Sequence, residues 1–335
     1  MSLKKCLIIQ LCLLVSFLTI AQQSEQTFRA AFYNVENLFD TIAHTLKDDK
    51  EFTPQSRSNW NTSRYFKKVN DLAKVLTDMG SPFLVGLCEV ENGDVLTDLC
   101  QALKEGYYQY IHHHSPDNRG VDVALIYQPA YFRPISDRPI PVFIQIEQEI
   151  VGTRDILHVS GIFQPTGDTL DVFVNHWPSR RGGLQQSEHR RLAAADTLRA
   201  AIERIWKARP AAKIIITGDF NDDPNNISLA KTLQSAKHPY LKKRLQNVSL
   251  DSFNSGQGTY NYQGNWNMLD QFILSDCLIG QDSGLSFAGF HIFKADYLIF
   301  DHPRYGKMPN RTYGGPNYYG GTSDHFPVYI EFKMR

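Results

Sequence analysis

Three stretches, "FLVGLCEVEN" (83–92), "TLDVFVNHW" (169–177) and "KIIITGDFNDDPN" (213–225), begin as apolar runs and end in carboxylates, amides or an imidazole. Successive side chains of a strand point to opposite sides, so a short apolar run is a strand buried on both faces. Ile214, Ile215, Ile216 and Thr217 are all β-branched, which favours an extended strand at that place. Such strands need cover on both sides. They belong in sheets under helices, or in two sheets packed together with helices outside.

The rest of the chain alternates in the same way. Residues 27–37 read as a strand and a turn, and 40–61 as polar loop. Tyr65, Phe66, Val69, Leu72, Ala73 and Leu76 recur at helical spacing and predict a helix over 62–79, stopped by Met79-Gly80-Ser81-Pro82. A short helix is expected over 93–104, and strands near 107–114, 121–128 and 155–163. Ala195, Leu198, Ile202, Ile205 and Trp206 form the apolar face of a helix over 184–207. A helix near 226–236 follows, then strands near 258–263, 268–274, 287–299 and 326–333. No internal repeat or compositional break interrupts this order, so residues 22–335 read as a single domain.

The N-terminus reads differently. Lys4 and Lys5 precede an apolar run from Cys6 to Ile20, and Thr19-Ile20-Ala21 is a small-residue cleavage pattern. Residues 1–21 are therefore expected to be a signal peptide, with an uncleaved anchor as the other reading. Export to the periplasm or the extracellular space follows, with no integral membrane segment after cleavage. The whole chain has 35 basic and 35 acidic residues, and cleavage after Ala21 leaves 33 against 35. A formal charge of −2 gives no general attraction to polyanions, so contact with nucleic acid needs a local basic patch. Cys88, Cys100 and Cys277 remain, enough for one disulfide and in no zinc-binding spacing.

The polar strand ends carry the chemistry. They offer Asn34 in "FYNVEN", Glu89 in "GLCEVEN", His176 in "FVNHWPS", and Asp219 and Asn221 in "TGDFND". Asp270 lies in "NMLDQFILS", and Asp324 and His325 in "GGTSDHFPVY". One such end is an ordinary turn, and Asp222, Asp223 and Pro224 are expected to serve one. Buried carboxylates are costly unless paired or metal-bound, so their repetition at strand after strand points to a shared site.

This ordered set resembles the endonuclease/exonuclease/phosphatase superfamily, the fold of the secreted deoxyribonucleases. "GDFN" and "SDHFPV" are its most specific parts, and "YNVENLF" is similar to an exported bacterial branch. The resemblance covers about residues 28–333. It implies an α/β (α+β) four-layer sandwich, with two mixed β-sheets face to face and helices outside. It also implies Mg²⁺-dependent hydrolysis of phosphate esters, with Mn²⁺ or Ca²⁺ as substitutes. Glu89 would ligate the metal, supported by Asn34 and Asp324. Asp219 would orient or deprotonate the attacking water, and Asn221 would position water and phosphate. His325 and His176 would donate to the phosphoryl oxygens, and Asp270 would fix the ring of His325. The base stays open between His325 and Asp219. The fold serves many substrates, so nucleic acid, inositol phosphates and phospholipid head groups all stay open. A monomer acting on a phosphate ester is expected.

Further residues are candidates for substrate contact. Arg119 stands in a Gly-containing turn, and Arg180 and Arg181 lie in "PSRRGG" just after His176. Tyr313 belongs to a Gly- and Pro-rich stretch, 301–322, expected to be a long loop mixing basic residues with tyrosines suited to stacking. "HHH" (112–114) cannot bring three imidazoles to one ion, because neighbours on a strand face opposite ways. No exposed apolar hairpin is evident. Two rivals are a non-catalytic module, which would have lost some of the polar set, and a Ser323 nucleophile paired with His325. No G-x-S-x-G elbow occurs to support the second.

Overall fold

Where the apolar runs called for cover on both faces, two six-stranded sheets provide it for one another, with helices outside. The computed structural model describes residues 26–235, 244–281 and 283–334. Residues 1–21, read as a signal peptide, lie outside the described residues.

Strand β1 (Thr27–Leu38) leads through helix α1 (Thr62–Asp78) to β2 (Leu84–Val90), which runs parallel to it. Asn61 caps α1 by accepting from the Arg64 N–H, and Gly80 leaves its end at φ 84°. Helix α2 (Gly93–Ala102), capped by Asn92, precedes the antiparallel pair β3 (Gln109–His112) and β4 (Asp122–Tyr127). The second sheet opens with β5 (Phe132–Ile140). A hairpin of β6 (Phe143–Ile146) and β7 (Glu149–Gly152) stands beside it. Then come β8 (Ile156–Phe163) and β9 (Asp168–His176), and α3 (Leu184–Ala208) crosses over to β10 (Lys213–Asp219), parallel to β9.

The helix expected near 226–236 is a single π turn over Ser228–Thr232, and residue 236 lies outside the described residues. Short β11 (Leu245–Asn247) and α4 (Leu250–Asn254) lead to the hairpin β12 (Tyr260–Tyr262) and β13 (Asn265–Asn267), then to β14 (Asp270–Ser275). The chain re-enters the first sheet with β15 (Leu285–Ile292) and ends with β20 (Val328–Met334). Between them the expected long loop is instead two hairpins. They are β16 (Ile299–His302) with β17 (Gly306–Pro309), and β18 (Tyr313–Gly314) with β19 (Asn317–Tyr318).

The sheet orders are β15-β20-β1-β2-β4-β3 and β11-β14-β10-β9-β8-β5. Phe32, Leu125, Val159, Val172, Ile215 and Phe272 belong to the core between them. A second core joins the first sheet to α1 and α2, and a third joins the other sheet to α3. This is the expected four-layer sandwich. Its faces touch at Gly86, where an added Cβ would stand 3.0–3.2 Å from Phe32, Thr217 and Val174. Contrary to expectation, the β6–β7 hairpin exposes Phe143 and Ile150, beside acidic Glu147 and Glu149. Cys88, Cys100 and Cys277 are free thiols.

Candidate active site

The topology explains why distant residues meet. Parallel neighbours bring their C-terminal ends to the same edge, and an antiparallel neighbour starts there. Thus Asp219 on β10 is in register with His176 on β9 and with Asp270 at the start of β14. In the first sheet, Asn34 on β1 pairs with Cys88 on β2, beside Glu89. Asp324 and His325 enter the same edge just before β20. Gly218 precedes Asp219 because no side chain fits there: its Cβ would lie 2.4 Å from the Asn175 carbonyl oxygen.

Glu89 occupies a bulge. Cys88 and Val90 pair with consecutive β4 residues, leaving Glu89 out of the ladder at φ 63°. Such an extra residue re-aims a side chain. Asn221 (φ 50°), Glu36 (φ 48°) and Asn37 (φ 57°) also hold left-handed backbone here. Strain of this kind concentrates at functional sites.

One cavity of about 990 Å³ is lined by Asn34, Glu89, His176, Asp219, Asn221 and His325. Asp324, Arg119, Arg180, Arg181 and Tyr313 are on its wall as well, and Asp270 lies buried behind His325. The hub is Asp219. Its Oδ2 accepts from Asn34 Nδ2 at 3.0 Å, and its Oδ1 from the Asn221 N–H at 2.9 Å. His176 Nε2 and His325 Nε2 stand 3.7 and 3.9 Å from Oδ2. His325 Nδ1 meets Asp270 Oδ2 at 2.7 Å. Glu89 Oε2 accepts from the Asn37 N–H at 3.0 Å, and its Oε1 lies 3.8 Å from His176.

Burial pushes both Glu89 and Asp219 above the usual carboxylate range, partly opposed by nearby cations. The two histidines go opposite ways. Burial would favour a neutral His325, but Asp270, Asp219 and Asp324 outweigh it and hold the ring well above the usual histidine range. Burial, with Arg154, Arg119 and His325 adding, drives His176 well below that range. These surroundings favour the protonated ring at His325 and the neutral ring at His176, and the buried Nδ1 of His176 has no protein partner.

The donor set fits a hard divalent ion. The Glu89 and Asp219 carboxylates both reach within 3.8 Å of His176 Nε2, burial raises the cost of their charges, and a cation such as Mg²⁺, which prefers carboxylate oxygens, relieves it. Cys88 Sγ also lies within 4.8 Å of ligand atoms of His176 and Asp219, but burial raises its thiol and keeps it protonated.

Other side chains have work inside the protein. Asn34 Oδ1 accepts from the Glu36 N–H, and Asp324 Oδ2 pairs with Arg311 at 2.6 Å. Arg180 donates to the Asn221 carbonyl, Asn267 and Asp223, so it holds the turn that carries Asn221. Arg181 is exposed, and Arg119 makes only a loose 3.7 Å pair with Asp117. Tyr313 ties its hydroxyl to the Ser58 carbonyl. Ser323 donates to the Asn34 carbonyl and accepts from the His325 N–H, so its hydroxyl faces backbone and not the imidazole ring. Asp222 pairs with Arg191 and Ser228, a structural role as expected.

The sequence reading missed Glu36, Lys68 and Arg154. Glu36 accepts from the Thr312 N–H, and Lys68 donates to the Glu36 carbonyl and the Thr312 hydroxyl. Burial raises Glu36 and lowers Lys68. Only the spacing of Glu36, two residues after Asn34 on one strand, gave a signal. Arg154 donates to the carbonyls of His176 and Trp177 and pairs with Asp117 at 2.7 Å.

A model of the endonuclease/exonuclease/phosphatase family matches residues 29–334. The chain belongs to that family. No curated protein matches its sequence. Among solved structures, the family fold recurs in a mannosyl-6-phosphatase of Bacteroides thetaiotaomicron, at 17% identity and TM-score 0.60, covering 91% of this chain and 99% of that one. D. rerio TDP2 complexed with a single-strand DNA product is similar at 14% identity and TM-score 0.56, covering 92% and 99%. The human Nocturnin catalytic domain is similar at 16% identity and TM-score 0.54, covering 92% and 95%. These likenesses show that the chain has the same fold.

Proposed function

We propose that this family member is an exported phosphoesterase that uses Mg²⁺ and hydrolyses phosphodiester or phosphomonoester bonds by direct attack of water. The observation that carries the reading is the convergence of Asp219, His325, His176 and Glu89 from two sheets on one cavity. Glu89, with Asn34 and Asp324 beside it, would hold the ion, which when bound neutralises charge on the phosphoryl oxygens. Asp219 takes the role of base: both its oxygens are fixed, and burial raises its proton affinity towards that of the water it must activate. His325, held cationic by Asp270, donates to the developing charge, a contribution that is largest in a water-poor site. His176 contributes a neutral ring, and Asn221 positions water and phosphate.

The cavity favours a small phosphorylated ligand or the end of a single strand over a duplex. Its volume of about 990 Å³ suits a compact ligand, and Tyr262, Asn265 and Tyr313 wall its outer part. Such a wall suits a sugar or a base next to the phosphate. The named activities of the mannosyl-6-phosphatase and TDP2 relatives make both classes worth assaying.

The test is a panel of sugar phosphates, nucleotides, single-stranded DNA, RNA, inositol phosphates and sphingomyelin, run with Mg²⁺ and with chelator. Asp219→Ala should lose ~10³-fold or more on the true substrate while keeping its circular dichroism spectrum. Turnover that survives chelation, or a near-normal Asp219→Ala enzyme, would falsify the assignment.

A further inference from the structure

The three consecutive imidazoles of residues 112–114 cannot all share one ion. In the folded chain His113 does turn away, to Asp137 at 2.6 Å. The other two, the last residue of β3 and the second residue beyond it, land together. His112 Nε2 and His114 Nδ1 lie 3.0 and 3.1 Å from one oxygen, Oδ2 of Asp122. All three ligand atoms are within 4.8 Å of one another. The rings meet edge to face, with centroids 4.9 Å apart.

The surroundings are those of a built site. Asp122 is buried, and its other oxygen accepts from the Ser115 N–H at 2.9 Å and the Ser115 hydroxyl at 2.5 Å. A fixed outer partner of this kind holds a ligand carboxylate in one orientation. The His112 side chain is only 6% exposed, while that of His114 is 72% exposed, so solvent reaches one side. Two imidazoles and one carboxylate with a side open to water is a three-ligand arrangement typical of zinc. It also stands apart from the catalytic cavity, whose wall carries the carboxylates of Glu89, Asp219 and Asp324.

We propose that His112, His114 and Asp122 form a second metal site, for Zn²⁺ or a similar late first-row ion. Imidazole donors favour such ions, while Mg²⁺ prefers oxygen donors. On binding, each neutral ring carries its one N–H on the other nitrogen and offers the ion the lone pair of the nitrogen that now faces Asp122, so the imidazoles stay neutral. The ion fastens the end of β3 to the start of β4. It thereby closes the base of the loop 115–121, which holds Asp117 against Arg154 and presents Arg119 to the catalytic cavity.

The experiment uses the full chain, stripped of metal and then held in excess Mg²⁺. Zn²⁺ is titrated by calorimetry, Co²⁺ by visible absorption, and thermal melts are run with and without Zn²⁺. The expected result is one Zn²⁺ bound with a rise in Tm, weakened ~100-fold or more in His114→Ala and His114→Gln. A Glu89→Gln chain, altered at the catalytic cavity, should keep this Zn²⁺ and its rise in Tm, and so should His113→Ala. Unchanged Zn²⁺ affinity in His114→Ala overturns the proposal. So does a Zn²⁺ signal that vanishes in Glu89→Gln, or no Zn²⁺ binding by the native chain.

Discussion

Replacing Asp270 by Asn isolates one electrostatic contribution. Asp270 is fully buried and touches His325 Nδ1 at 2.7 Å, and its charge is the main influence that keeps the buried ring protonated. Opposite charges ~4 Å apart at an effective dielectric of ~20 attract by about 4 kcal/mol. The amide retains the shape and removes that attraction, so burial then governs and the ring turns neutral at pH 7. If the imidazolium is needed to stabilise the transition state, about 4 kcal/mol corresponds to a ~10³-fold fall in kcat. The buried amide N–H₂ also needs acceptors, at a cost of ~1–3 kcal/mol in stability. The assay is hydrolysis of bis-p-nitrophenyl phosphate and of the best panel substrate between pH 5 and 9, with melts as the folding control. The variant should regain activity as pH falls and His325 takes up its proton, and NMR of the imidazole should follow the same midpoint. A folded Asp270→Asn enzyme within tenfold of the native rate, or one with no acid recovery, refutes the reasoning.

Three other outcomes are expected. Burial raises Glu91 from 4.5 to about 8, with nearby Asp40 and Asp49 adding to it. The folded state thus binds this proton more tightly than the unfolded state, and its stabilising effect, full below pH 4.5, is lost as pH rises to about 8. Glu91→Gln should flatten the stability profile across that window and gain ~1–2 kcal/mol at its upper end; parallel denaturation curves count against this. Gly86→Ala should lose ~1–3 kcal/mol by urea denaturation, because its methyl meets Phe32, Thr217 and Val174 where the sheets touch. Arg154→Ala should lose ~3–5 kcal/mol by breaking the pair with Asp117 and removing its donors to the carbonyls of His176 and Trp177; a melt within a degree of native excludes that role.

The central strands and their polar exits were legible because each is a local pattern. "KIIITGD" is buried from Ile214 onward, and its Asp219 reaches the cavity with the other strand-end residues. The edge was harder. β5 carries Pro134 and Pro139 and is largely exposed, so neither alternation nor an apolar run marks it; proline is tolerated there because the strand has a neighbour on one side only. The stretch 301–322 hides two hairpins behind glycine and proline, and of its basic residues Arg311 is the one that reaches the cavity, where it is matched to Asp324. Roles fixed by distant partners, such as Arg154 under the His176 carbonyl, leave no trace in local spacing. The same limit hid the pairing of His112 and His114 with Asp122, eight to ten residues away in sequence.

The hydrogen bonds from Asn34 to Asp219 and between His325 and Asp270 both span the line where the two sheets meet. Each sheet alone contributes an incomplete set of reagents. A newly made chain that has built only one of them is chemically silent, so the first appearance of hydrolysis during refolding times the joining of the halves.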